Sequence, residues 1–184
     1  MSEKEKMLSG EPYDPYVPIL VALRQNAQCL TEALNRTSAN AAERRRELIE
    51  RLFGSVGENA CIVSPFNCDY GFNIHVGDHF YANYGCVILD EAEVRIGQHA
   101  LLGPQVGIYT AVHPFDPVER AHGTETARPV SIGNHCWIGG HATILPGVTL
   151  GNNVIVGAGA VVTRSFGDNL VIAGNPAKVV RPLP

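Results

Sequence analysis

The sequence predicts a mainly β protein, a three-sided coil stacked into a column, led by a pair of helices and interrupted by one extruded loop. Three observations predict it. Residues 132 to 163 read IGNHCWIGGHATILPGVTLGNNVIVGAGAVVT and place an aliphatic side chain at Ile132, Ile138, Ile144, Leu150, Val156 and Val162, one every six residues. The same spacing recurs at Val76, Ala82 and Ile88 and again at Ile96, Leu102 and Ile108, with a slip of two between those runs. Gly follows the aliphatic residue at Val76, Ile96, Leu102, Ile132, Ile138, Leu150 and Val156, and Asn, Asp or Gln often comes next. These residues tolerate the positive φ that a tight corner demands. Six is a multiple of the strand period, so each hexad holds a short strand and a corner, and three sides close a coil. Parallel pairing between coils then sets each residue above its equivalent three hexads earlier, and the aliphatic side chains fill the column.

From the N-terminus, a Pro-rich lead-in precedes residues 19 to 35, where Leu20, Leu23, Ala27, Leu30 and Leu34 make one apolar helical face. A second helix follows, with Asn40 as its cap, Glu43 reaching back, Leu48, Ile49, Leu52 and Phe53 as its stripe and Gly54 as its stop. Arg44, Arg45 and Arg46 read as a solvated face. The division predicted is a helical segment over 1–58 and the coil over 59–184. Residues 111–129 break the hexads and release them in register at Val130, which fits a loop extruded from one corner. The ending LVIAGNPAKVVRPLP puts a Gly-Asn-Pro turn between two apolar stretches and should cap the open end of the column.

At 184 residues the chain can bury a core of its own, and a net charge of −4 with scattered Lys and Arg argues against nucleic acid. No apolar run spans a membrane and the start lacks a signal-peptide pattern, so a cytoplasmic location is expected. Five cysteines without CxxC spacing suggest neither disulfides nor zinc, and read as small buried hydrophobes.

The segments MLSGEPYDP, CDYGFNIHVGDHFYANYGCVILDEAEVRIG, IYTAVHPFDPVER, the hexad run above and AGNPAKVVR together cover nearly the whole chain. In these it resembles the hexapeptide-repeat acyltransferases with a left-handed parallel β-helix, and among them the maltose and galactoside O-acetyltransferases. The resemblance implies transfer of an acetyl group from acetyl-CoA to a sugar hydroxyl, without a covalent acyl-enzyme and without a metal. A hydroxyl is a poor nucleophile at neutral pH and needs a base, and histidine suits that task. His113, in HPFDP at the root of the loop, matches the family's base.

By the same match Asp69, Asn83, Asp90 and Glu91 stand at acceptor-side positions, and Asp14 is the nearest equivalent of an N-terminal acidic residue. Asp69 falls where some members have Ser, and Glu91 where some have Asp. On the donor side, Gly140 would meet the thioester end of CoA through its backbone. Ala158 and Trp137 would line the groove for the pantetheine arm. Thr163, Arg164, Lys178 and Arg181 would hold the far end and its phosphates, where charge-assisted bonds to phosphate are strong. A homotrimer is implied, with His113 of one subunit facing Gly140 of the next. Three other readings stay open: a noncatalytic sugar-binding or scaffold trimer, an acetyltransferase for an antibiotic or lipo-oligosaccharide, and a three-histidine zinc site like that of other proteins with this fold.

Overall fold

A computed structural model describes residues 1–184. Three helices lead the chain: α1 (Glu3–Ser9), α2 (Pro18–Arg36) and α3 (Ala42–Leu52). Short strands then wind into a three-sided parallel β-helix. Its first face carries five strands, from Ser55–Val56 through Ile74–Val76, Val94–Ile96 and Val130–Ile132 to Thr149–Leu150. The second carries seven, from Cys61–Ile62 to Leu170–Ala173 with Lys178–Pro182 at its edge, and the third carries five, from Asn67–Cys68 to Val161–Val162.

The hexad side chains point inward as the spacing requires. Ile74, Ile88, Val94, Ile108, Ile138, Ile144 and Val162 are fully buried, within one cluster of 37 buried residues. The rise per coil differs from the expectation in the lower part of the column. Ile144 pairs with Val162, three hexads on, but Ile88 pairs with Ile108, two residues further. The third corner, between faces three and one, takes the surplus: it holds Asp69–Asn73, then Asp90–Glu93, and in the next coil the whole loop. The slip of two seen in the sequence is therefore one level of a widened edge.

The corners of the first edge carry His79, His99 and His135 at φ of 57°, 55° and 58°. Their rings stack at centroid separations of 4.7 and 5.0 Å. At that edge an amide ladder ties the coils together: Gln98 N–H donates to Asn134 Oδ1, Asn134 N–H to Asn152 Oδ1, and Asn152 N–H to Asp168 Oδ1.

The helices close the base. Leu34, Leu48, Leu52 and Phe53 belong to the column's core cluster, and Phe53 meets Phe66 edge to face at 5.6 Å. Asn35 clamps α2 to the coil, donating to Phe66 O at 2.8 Å and accepting from Phe66 N–H at 2.9 Å. Asn35→Ala removes both bonds and leaves a half-buried peptide unpaired, so urea unfolding should register a loss of about 1–3 kcal/mol. The first coil strand begins at Ser55, and the helices and the coil contribute to one core cluster.

Four local expectations are corrected. The cap of α3 is Ala41, with no side-chain bond, because a turn closed by Ala41 N–H on Ser38 O holds Asn40 one residue ahead of the cap. Arg45 is not a solvated side chain: its guanidinium donates to Leu34 O and Thr37 O at the end of α2 and to Ile62 O and Ser64 Oγ of the first coil, while Arg44 and Arg46 pair with Glu47 and Glu50. Cys68, Cys86 and Cys136 are buried, but Cys29 and Cys61 are exposed, facing away from the core on α2 and on face two. Helix α1 was not expected, although its signals were present: Ser2 and Glu5 form a capping box and Gly10 closes it at φ 79°. The C-terminal turn does join two strands, which pair as a hairpin and bury Ile172 and Ala177 against the end of the column.

Candidate functional site

The third edge concentrates polar chemistry in an otherwise aliphatic column. Asp90 is fully buried there and Glu91 is 6% exposed. The Asp90 carboxylate accepts from Tyr70 N–H at 2.8 Å and Asn73 N–H at 3.3 Å, while Asn73 Nδ2 returns a bond to Asp90 O. Burial pushes the Asp90 carboxyl up to about 7, against the pull of the backbone N–H groups of Tyr70, Gly71 and Asn73. Glu91 is pushed up to about 9, first by burial and then by its hydrogen bond to the half-buried Asp69 side chain. Glu91 therefore keeps its proton at neutral pH. Thr110 lies fully buried above it, with Oγ1 3.1 Å from Glu91 Oε2.

From Thr110 the chain leaves the coil as an antiparallel hairpin. Ala111 pairs with Ala127 and Val112 with Thr126, which sets His113 opposite Glu125 on the next rung. A single-turn helix, α4 (Pro117–Ala121), capped by Asp116, lies at the tip of the loop. The His113 side chain is 57% exposed, with Nδ1 3.8 Å from Glu125 Oε1. It lines a cleft of about 450 Å³ with Pro12, Val112, Phe115, Glu119 and His122.

Sequence reasoning missed Tyr13 and Glu125. The segment after α1 runs along the return arm of the hairpin, with Tyr13 N–H donating to Glu125 O and Glu125 N–H to Tyr13 O. Tyr13 is 2% exposed, packs with Met7, Leu20 and Tyr70, and donates its hydroxyl to Glu125 Oε2 at 2.8 Å. Asp14 is exposed and accepts from Tyr16 N–H, a local turn bond next to the site.

The second edge holds the other predicted residues. Gly140 and Ala158 occupy the corner position that Asn134 and Asn152 hold on the first edge, two residues past the aliphatic. With Pro104, Gly140 and Ala158 in place of the amide ladder, no side-chain acceptor reaches these corners. The N–H groups of Gly140 and Ala158 make no hydrogen bond within the chain. Asn83 lies lower on this edge, its Oδ1 accepting from Tyr84 N–H.

Trp137 projects from face two between Leu101 and Ile155, 54% exposed. Ala177 N–H binds Val161 O at 2.8 Å, bringing Lys178 to the strand that leads into Thr163 and Arg164, all exposed; Arg181 sits farther along, opposite Val171. Arg164 lies over the Phe166 ring at 5.0 Å. Within one chain, then, His113, Asp69, Asp90 and Glu91 share one edge, while Asn83, Gly140 and Ala158 share another, with face three between them. No group of three or more His, Cys, Asp or Glu side chains is arranged to hold a metal ion, and no helix is long and apolar enough to cross a membrane.

Two family profiles match the chain, the maltose acetyltransferase hexapeptide capping motif over residues 6–57 and the hexapeptide repeat of succinyl-transferase over 129–164. The crystal structure of a maltose O-acetyltransferase from Clostridium difficile 630 superposes with a TM-score of 0.99 at 45% identity, over 100% of this chain and 98% of that one. A galactoside acetyltransferase in complex with coenzyme A superposes with a TM-score of 0.96 at 36% identity, over 100% and 92%. Nodulation protein L of Rhizobium meliloti (strain 1021) is 48% identical over 97% of each chain.

Proposed function

Because the chain belongs to the hexapeptide-repeat acetyltransferases of the maltose and galactoside type, we propose that it moves an acetyl group from acetyl-CoA to a hydroxyl of a sugar. The observation that carries this reading is a pair of complementary half-sites. One edge offers an imidazole at the root of the hairpin and buried carboxyls in the corner from which the hairpin leaves, and the other offers N–H groups at Gly140 and Ala158 that make no bond within the chain.

The chemistry divides along the same line. Carboxylates and amides recognise sugar hydroxyls, and Asp69 and Glu91, whose side chain meets Thr110 at the hairpin root, are assigned to that task. His113 takes the hydroxyl proton as the oxygen attacks the thioester carbon. An oxyanion then forms, and the Gly140 N–H donates to it. CoA thiolate leaves and recovers the proton from the imidazolium. Ala158 and Trp137 would flank the pantetheine arm, with Thr163, Arg164, Lys178 and Arg181 toward the phosphates.

Since the two half-sites lie on different edges of one column, a complete site needs two chains. A closed homotrimer supplies three such meetings, each with His113 of one subunit facing the neighbour's second edge. Asn83, on that second edge, would then join the acceptor pocket from across the interface.

Release of free CoA tests the reading. Purified protein is incubated with acetyl-CoA and with glucose, maltose or a galactoside, and CoA thiol and sugar ester are measured together. The expected result is saturable, acceptor-dependent CoA release with one acetyl ester formed per CoA. Absence of acceptor-dependent release, together with no heat of acetyl-CoA binding, would overturn it in favour of a noncatalytic scaffold.

A further inference from the structure

Glu125 is held at three points. Its backbone exchanges hydrogen bonds with Tyr13 at 3.0 and 3.1 Å, and its Oε2 accepts the Tyr13 hydroxyl at 2.8 Å. Burial, followed by that hydrogen bond, raises the Tyr13 hydroxyl well above its ordinary value, so it stays a donor at every working pH. The remaining oxygen, Oε1, faces His113 Nδ1. Glu125 is the only carboxylate or other charged group within ion-pair distance of that ring.

A neutral imidazole carries one proton, on either nitrogen. We propose that Glu125, anchored by Tyr13, is the positioning residue for His113: it fixes the ring with Nδ1–H toward the carboxylate and leaves Nε2 as the base. The inference rests on the assignment of His113 as the base and adds to it the N-terminal segment, which reaches the reaction through one side-chain chain, Tyr13 to Glu125 to His113. The 3.8 Å gap is longer than a hydrogen bond, but the ring is more than half exposed and a small rotation brings Nδ1–H onto the carboxylate. During the reaction the proton passes from the sugar hydroxyl to Nε2, the Nδ1–H stays in place, and the carboxylate faces the imidazolium that forms.

Glu125→Gln separates positioning from mere packing, because the variant side chain keeps its size. Tyr13 still donates to the carbonyl oxygen, so the amide NH₂ turns toward Nδ1 and favours the opposite tautomer. Two-bond proton–nitrogen NMR of the His113 ring, identified by its loss in His113→Ala, should report Nδ1–H in the parent protein and Nε2–H in the variant. In steady-state assays kcat should fall about 10²- to 10⁴-fold with KM for acetyl-CoA and for acceptor unchanged. Tyr13→Phe should fall less, since the carboxylate stays in place but swings. An Nε2–H tautomer in the parent protein, or an E125Q variant that keeps Nδ1–H whatever its kcat, would overturn the inference. Full activity in His113→Ala would instead overturn the base assignment beneath it. The NMR result needs no acceptor, so it stands or fails separately from the acetyl-transfer assay.

Discussion

Replacing His113 with alanine is expected to lower kcat by about 10²- to 10⁴-fold, the usual worth of general-base assistance, and to leave acetyl-CoA affinity where it was. The split follows from the two edges. His113 stands at the root of the hairpin, and the groups assigned to CoA stand along the second edge and its end, so deleting the imidazole touches none of them. The fold should be indifferent as well, because the ring is more than half exposed and makes no hydrogen bond in the core. Steady-state kinetics with calorimetry on the same preparation checks both halves. His122 is the internal control, since it lines the same cleft on the far side of α4. A large loss in His122→Ala with none in His113→Ala would move the base to the other ring.

How much of this was legible in the sequence depended on range. The column was legible because its signal is local: each inward Ile, Leu or Val answers to a corner two residues away, and the spacing repeats often enough to exclude chance. The widened edge was visible only as a slip between Ile88 and Ile96, since nothing in one dimension says that Asp69 and Glu91 occupy successive levels of one corner. His113 was legible from the HPFDP context, but its partners were not. Tyr13 and Glu125 are 112 positions apart, and their pairing exists only once α1 and α2 dock on Tyr70. A hint was present even so: the hairpin that must follow an extruded loop sets its outgoing and returning arms in register, and counting back from Ala127 would have put Glu125 across from His113. The open N–H groups at Gly140 and Ala158 could likewise be read as an absence, hexads in which the usual Asn or Asp is replaced by a residue with no acceptor. Asn40 misled because its capping pattern is satisfied at the level of residue types while Ser38 starts the turn early.

The buried carboxyls carry the second large effect. Burial, and then the neighbouring Asp69, push the Glu91 carboxyl from its ordinary value of 4.5 up to about 9 in the folded chain. Between those limits the native state keeps a proton that the unfolded chain has released. Stability from this group is therefore fully present below the ordinary value and declines as pH rises toward the folded one, at about 1.4 kcal/mol per pH unit. Asp90, pushed up to about 7 by burial, adds a contribution of the same sign in the lower part of that window. The wild-type urea midpoint should consequently fall between about pH 8 and about pH 9, where Asp90 is already largely ionised and Glu91 governs the slope. Glu91→Gln keeps the size of the side chain, can donate to Asp69 as the protonated acid does, and cannot release a proton. Its midpoint should be nearly level over the same interval, so that it is the more stable protein at the alkaline end. A wild-type midpoint that holds or rises with pH, or an E91Q slope equal to the wild-type slope, would show that Glu91 is ionised at neutral pH. Glu91 would then offer a sugar hydroxyl an acceptor only, with no proton to donate.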